Sequence, residues 1–230
     1  MHRRTVLVAG AAACGVALPA IGQGTAEPSA AEKALFIEPH LRSLRGPQNL
    51  RYRFVHRPAP ASVARAASAA SAPADAAFED DVLLQLSPTA AKACCAVRGQ
   101  FLSGARQMRL PDIDDAESNP VTLYFLEREV RELQRVTGGQ AAHFRRRIRL
   151  VLAESPAPQA TTVRHRGREV AAFQIDITPF VDDPQRHRFE KQATMRYRFV
   201  LSPAVPGTVW RIEAELPGGH VDTLTLLETS

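Results

Sequence analysis

The sequence predicts an α+β fold: a curved antiparallel β-sheet, half-barrel-like, packed on a mid-chain αα-hairpin. Three observations predict it. Segments in which apolar residues alternate with polar ones lie on both sides of the chain's middle, as half-buried strands require. Between them, two segments with apolar residues at three- and four-residue steps meet at Gly138-Gly139, the pattern of two helices joined by a tight turn. The pentapeptide Arg-Tyr-Arg-Phe-Val occurs twice, at 51–55 and 196–200, and each time its apolar members fall on one side of a strand.

The elements follow in order. LRYRFVHR reads as a strand, and Pro58 to Ala77, rich in Ala, Ser and Pro, as a loop between strands, with transient helix around Val63–Ala70. DVLLQL (Asp81–Leu86) and Ala96–Pro111 are further strands, the second turned near Gly104. Asn119 is suited to cap a helix, Pro120 to its first position and Gly138-Gly139 to its end. Leu123, Leu126, Val130 and Leu133 give that helix an apolar stripe, and Glu127–Arg131 and Arg128–Glu132 are i,i+4 pairs on its wet side. A second helix runs from Gln140 to about Ala153, burying Ala141, Phe144, Ile148 and Val151 and exposing Arg145, Arg146 and Arg149, with Arg147 on the flank.

After Pro156 alternation returns. A hairpin turns at Gly167, with Ala171, Phe173, Ile175 and Ile177 on one face. MRYRFVLS then pairs with VWRIEAEL in a register that sets Tyr197 against Ala214, Phe199 against Ile212 and Leu201 against Trp210. The same register sets Arg196 against Glu215 and Arg198 against Glu213. DTLTLLE closes the sheet. For Arg51 and Arg53 no acidic partner strand follows directly, which leaves their charge unaccounted for.

The N-terminus carries an address. Arg3 and Arg4 precede an apolar run, Val6 to Ile21, and small residues follow, which is the layout of an export signal over residues 1–26. The run is shorter than the roughly 20 residues of a membrane span, and the mature chain offers no span. Arg-Arg-Thr-Val-Leu resembles the twin-arginine export motif, and export by that route or the general one stays open. Ala11 stands where a lipobox before Cys14 prefers Leu, so the reading is a soluble periplasmic or secreted protein rather than a lipoprotein. Removing residues 1–26 takes away two arginines and no acid, so the net charge falls from +5 to +3. Residues 27–46 show no period and read as a flexible tail, followed by a single domain over 47–230. Cys94 and Cys95 read as two thiols on opposite sides of a strand.

Strands, helical hairpin and strands in this order resemble the plan of bacterial periplasmic lipoprotein carriers, whose curved half-barrel sheet wraps around helices. The stretch FLEREVRELQRVTGG with HFRRRIR also resembles a motif of uncharacterised exported bacterial proteins. The first resemblance implies a ligand-holding sheet; the second covers about 25 residues and implies no activity.

Nothing matches a nucleophile elbow, a phosphate-binding glycine loop or a zinc-binding His-Glu helix. The leading expectation is an exported, non-enzymatic binding, carrier or envelope-maintenance protein. It would hold a lipid-like, apolar or amphipathic ligand between sheet and helices, or meet an envelope protein, and needs no cofactor and no metal. Arg145, Arg146, Arg149, Arg51 and Arg53 are the candidate ligand or partner surface; a solvated helix face, or pairing with Asp112–Glu117, is the plainer account of the α-helical set. The alternative is an exported hydrolase in which His165, Asp183 and His187 converge from the C-terminal loops, beside Asp182. Nucleic acid is excluded as partner, because alternation puts the arginines and aromatics of RYRFV on opposite faces. Oligomeric state is left open.

Overall fold

The computed structural model describes residues 27–59, 76–90 and 94–227. The expected export signal, and residues 60–75 of the expected Ala/Ser/Pro-rich loop over 58–77 with the transient helix expected there, lie outside the described residues. The described strands are β1 (Gln48–Arg57), β2 (Phe78–Ser87), β3 (Ala96–Phe101), β4 (Gln159–His165), β5 (Arg168–Ile177), β6 (Arg196–Leu201), β7 (Val209–Glu215) and β8 (Val221–Leu226). They form one curved, unclosed antiparallel sheet in the order β3-β2-β1-β8-β7-β6-β5-β4. The three strands before the helices and the five after them are therefore separate meanders. Only the pairing of β1 with β8 joins them.

Helices α2 (Val121–Thr137) and α3 (Ala141–Ala153) form the expected hairpin, and α2 ends on Gly138 with φ +69°, a left-handed cap that glycine adopts without steric cost. The α2 stripe is broader than expected: Val121, Phe125, Leu126, Val130 and Leu133 are buried while Leu123 is exposed. On α3, Phe144, Ile148 and Leu152 are buried, with Ala141 and Val151 half-buried beside them.

Residues 27–46 are a folded segment rather than a tail. Ser29 closes a capping box with Glu32 on α1 (Ala30–Glu32), which continues as a π-helix over Lys33–Ile37. The wider π turn has no 3.6-residue period, which is why no stripe is visible in the sequence. Ala31, Leu35, Leu41 and Leu44 nonetheless enter the core, and the Ser29 hydroxyl donates to the Leu152 carbonyl at 2.8 Å. Cys94 and Cys95 lie just before β3, with Cys95 buried in the core and Cys94 half-buried beside it.

Both RYRFV copies are half-buried strands. Tyr52, Phe54, Tyr197 and Phe199 face the core. The register of β6 on β7 is as expected from Arg196–Glu215 through Phe199–Ile212; a bulge after Val200 then shifts Leu201 onto Val209 instead of Trp210. Arg51 and Arg53 also have partners, because β2 pairs with β1 and brings Asp81 beside them, and its start at Phe78 rather than Asp81 adds Glu79. Arg51 donates to Asp81 at 2.5 Å, and Arg53 to Glu79 at 3.0 Å and Asp81 at 3.3 Å. On β5 the inner face is narrower than expected. Ile175 and Ile177 are buried, but Ala171 and Phe173 are exposed, and Ala172 is buried on the other face.

The N-terminus of α2 is fastened by one buried side chain. The Asn119 amide oxygen accepts from the Val121 N–H at 3.1 Å, while its Nδ2 donates to the Tyr52 hydroxyl and the Gly207 carbonyl, both at 2.8 Å. Helix, β1 and the β6–β7 turn thus meet at Asn119. Replacing it strands a buried hydroxyl and a buried carbonyl, each costing about 1–3 kcal/mol when unsatisfied. Asn119→Ala is expected to lower unfolding stability by on the order of 2–3 kcal/mol, and Tyr52→Phe by about 1 kcal/mol, as read from midpoints in chemical denaturation.

Candidate functional site

The densest chemistry is buried where α2 crosses the junction of β1 and β8. Two-residue alternation extends the inner face of β1 from Tyr52 and Phe54 to His56, and that of β8 from Leu226 and Leu224 to Asp222. The pairing register sets His56 directly against Asp222. His56 Nδ1 lies 2.5 Å from Asp222 Oδ1, so the imidazole donates to the carboxylate. From α2, Arg128 donates to the other Asp222 oxygen and, at 2.6 Å, to Glu129 Oε1. Aromatic rings enclose the group: the Arg128 guanidinium stands 4.9 Å from the Phe54 ring centre, and His56 stacks on Phe78 at 5.3 Å. The His220 ring lies 5.7 Å from His56, with its Nε2 buried and without a hydrogen-bond partner; the Tyr197 hydroxyl is buried in the same condition.

Burial works against every charge here, and the neighbours decide which survive. Burial pushes the Glu129 carboxyl up to about 7, because Arg128 offsets only part of its desolvation and the Asp222 charge adds to it. For Asp222, burial is outweighed by the hydrogen bond from His56 and the Arg128 charge, so its carboxyl titrates below the usual range. Burial also lowers Arg128, but Glu129 and Asp222 more than compensate and hold it cationic. His220 is pushed down by burial. The result is an Asp222–Arg128 ion pair with a second carboxyl that shares one guanidinium and carries a proton near neutrality.

Glu129, His220 and Asp222 place one donor atom each within 4.8 Å of one another, a set of ligand types suited to a divalent cation. Arg128, however, already contacts both carboxylates and supplies there the positive charge a metal would bring. The two carboxylates of the set are therefore engaged by Arg128, while the His220 ring nitrogen is not.

None of these residues was singled out by motif, yet three were marked by pattern. His56 continues the apolar alternation of RYRFV, Asp222 that of β8, and Glu129 stands four residues after Phe125 within the buried stripe. Arg128, expected to pair with Glu132 on the wet side, turns inward, and Glu132 pairs with Arg135 instead.

The hydrolase triad does not assemble. His165 ends β4 with its ring edge-on to Trp210 at 5.7 Å, and His187 is exposed in a 3-10 turn (Arg186–Arg188). Asp183 is buried and accepts from His143 Nε2 at 2.7 Å and from the Gln185 N–H at 2.8 Å, with Arg147 3.4 Å away. No hydrogen bond or ion pair joins His165, Asp183 and His187. The arginines of α3 separate by position. Arg145 binds Glu127 through two hydrogen bonds of 2.9 Å, rather than the Asp112–Glu117 stretch, and Arg146 and Arg149 are exposed without an ion pair among the described residues.

The concave face is filled by its own side chains. Tyr52, Phe54, Phe125, Phe144 and Phe199 are essentially inaccessible between sheet and helices. At the margin of this face is a groove of about 530 Å³, where Phe173 and Leu201 of the sheet meet Ala34 and Pro39 of the N-terminal segment, with Pro158 and Pro203 beside them. Phe173 is 44% exposed there. Among the described residues, no helix is long and apolar enough to cross a membrane.

Comparison with known proteins matches no family model and no curated protein.

Glu129 makes stability pH-dependent in a defined sense. The native state holds its proton more tightly than the unfolded chain, so the stability it contributes is complete below the ordinary carboxylate range and is lost as pH rises through about 7. Glu129→Gln mimics the protonated form. The variant is expected to match the wild type near pH 4.5 and to exceed it in stability above pH 7, in denaturation curves taken across that range. His40 and His220, which burial lowers, act in the opposite sense but are common to both proteins and cancel in the difference.

Proposed function

We propose that the chain is an exported, non-catalytic binding module of the cell envelope that carries an apolar or amphipathic ligand. Export rests on the basic start, apolar run and small residues of segment 1–26. The observation that carries the binding reading is Phe173. Its inner-face neighbours Ile175, Ile177, Phe199 and Leu201 are buried, whereas Phe173 opens into the marginal groove. What sets Phe173 apart from the other exposed large apolar side chains among the described residues is that it is an aromatic ring in a concave, largely apolar groove, which supports a surface that something covers.

The ligand sits at this margin rather than between sheet and helices, because aromatic packing occupies the space there. At about 530 Å³ the groove is within the range of small-molecule sites. Its rim carries Lys33, Glu38 and Thr208, which gives an acyl or ring system an apolar floor and its polar end a wet border. The hydrolase reading has no supporting geometry, since its three residues lie apart.

The test joins two measurements. Protein recovered from the envelope of an exporting host, starting near Glu27, should carry a lipid-like molecule in native mass spectrometry. In vitro it should bind the neutral fluorophore N-phenyl-1-naphthylamine, and Phe173→Glu should weaken that binding by about tenfold, the effect of roughly 1.4 kcal/mol, with unchanged melting temperature. Equal binding by the variant would remove the groove from the account.

A further inference from the structure

A second groove, of about 510 Å³, opens where the α2–α3 turn faces the 3-10 segment after β5, and it shares no lining residue with the Phe173 groove. Its cations are Arg146 of α3 and Arg188 of the 3-10 segment, with His143 and Gln185 also in the lining; no Asp or Glu lines it. The neighbouring arginines are neutralised: Arg145 binds Glu127, and Arg147 lies against Asp183. Arg146 and Arg188 make no ion pair among the described residues, and Arg188 has only a long contact of 3.5 Å to Gln185 Oε1.

Two guanidinium groups from different elements are thus brought into one acid-free groove, on a rigid base. Phe144, Phe180 and Phe189 pack edge-on in a closed set with ring centres 5.6–5.9 Å apart, which pins the 3-10 segment to α3. Buried Asp183 adds a polar fastening. It accepts from His143 on α3 and from the Gln185 N–H beside Arg188. Like charges held together without a counter-ion raise the local positive potential, and planar guanidinium forks match the oxygens of a phosphate.

We propose that this groove is a phosphate-binding site, with Arg146 and Arg188 as its two ligands. The volume exceeds that of a bare phosphate, so it takes a phosphate borne on a larger molecule as well as the free ion. Charge-assisted hydrogen bonds of this kind are among the stronger ones, so the loss of one arginine weakens binding by about tenfold or more.

The experiment titrates the full mature chain with inorganic phosphate and pyrophosphate by calorimetry. In parallel it measures co-flotation with phosphatidylcholine vesicles prepared with and without phosphatidic acid. Binding in the first arm identifies a soluble phosphate compound as ligand, and phosphatidic acid-dependent flotation in the second identifies a lipid headgroup; either supports the site. Arg146→Gln and Arg188→Gln should each reduce that binding by about tenfold or more, and both side chains are exposed, so melting temperature should not move. Arg145→Gln, which removes an equal charge from outside the groove, should leave binding unchanged, as should Phe173→Glu. No phosphate-dependent binding in either arm overturns the proposal. So does an Arg145→Gln loss equal to that of Arg146→Gln, because attraction would then follow net charge rather than the groove. Failure of Phe173→Glu to affect the naphthylamine probe bears only on the other groove.

Discussion

The pairing of β1 with β8 is the constraint on which the rest of the structure depends. A three-stranded meander and a five-stranded meander, separated in sequence by two helices, become one sheet only through that ladder. Its contacts are far apart along the chain, so closing it carries the largest loop entropy of any pairing in the fold. The buried ionic group stands at the same seam. His56 of β1 and Asp222 of β8 bond across it, and Arg128 ties the pair to α2. A buried ion pair is weak evidence of net stability against an apolar alternative, yet breaking one partner is strongly unfavourable. Its consequence here is register: a slip of one residue in β1 would turn His56 to the outer face, and one in β8 would turn Asp222 there and take from Arg128 one of its two carboxylates.

The sheet and the helical hairpin were legible in the sequence because both rest on periodicity, and the hydrophobic term that drives them follows periodicity directly. The β6–β7 register could be read residue by residue, since arginines opposite glutamates and aromatics opposite aliphatics agree on one alignment. It failed only at Leu201, where a bulge adds a residue that no pattern marks. The partner of β1 was harder to see. Glu79 and Asp80 have poor strand propensity, so β2 reads as starting at Asp81 rather than at Phe78; the acidic start of the strand makes sense against Arg53, which Asp81 faces and Glu79 also reaches. Long-range charge pairing overrode local preference.

The ionic seam was hidden for a different reason. Its members come from β1, α2, β8 and the β7–β8 turn, and no local spacing connects them. Single positions did carry a trace, because a polar residue at a core position of an otherwise regular stripe must find a partner inside. Glu129 is such a residue, and Arg128 beside it is the partner that local i,i+4 reasoning assigned to Glu132. The acid at the core position was the better guide, since burying it alone costs far more than an exposed helical pair returns.

Filling the concave face has a consequence for where this fold can bind anything. Tyr52, Phe54, Phe125, Phe144 and Phe199 consume the interior that an open half-barrel would leave for a ligand. What stays accessible are margins where a short irregular segment folds back over a regular element. The N-terminal segment with its π-helix does so beside Phe173, and the segment carrying Asp183 and Arg188 does so beside α3. Each leaves one unsatisfied property behind: an uncovered aromatic ring in the first case, uncompensated positive charge in the second. Regular elements met at right spacing satisfy themselves, whereas irregular segments are anchored at a few points and leave gaps between anchors. Both candidate grooves are therefore by-products of how irregular segments fold back on the sheet and helices, and their opposite chemistry follows from which side chains those anchors left facing water.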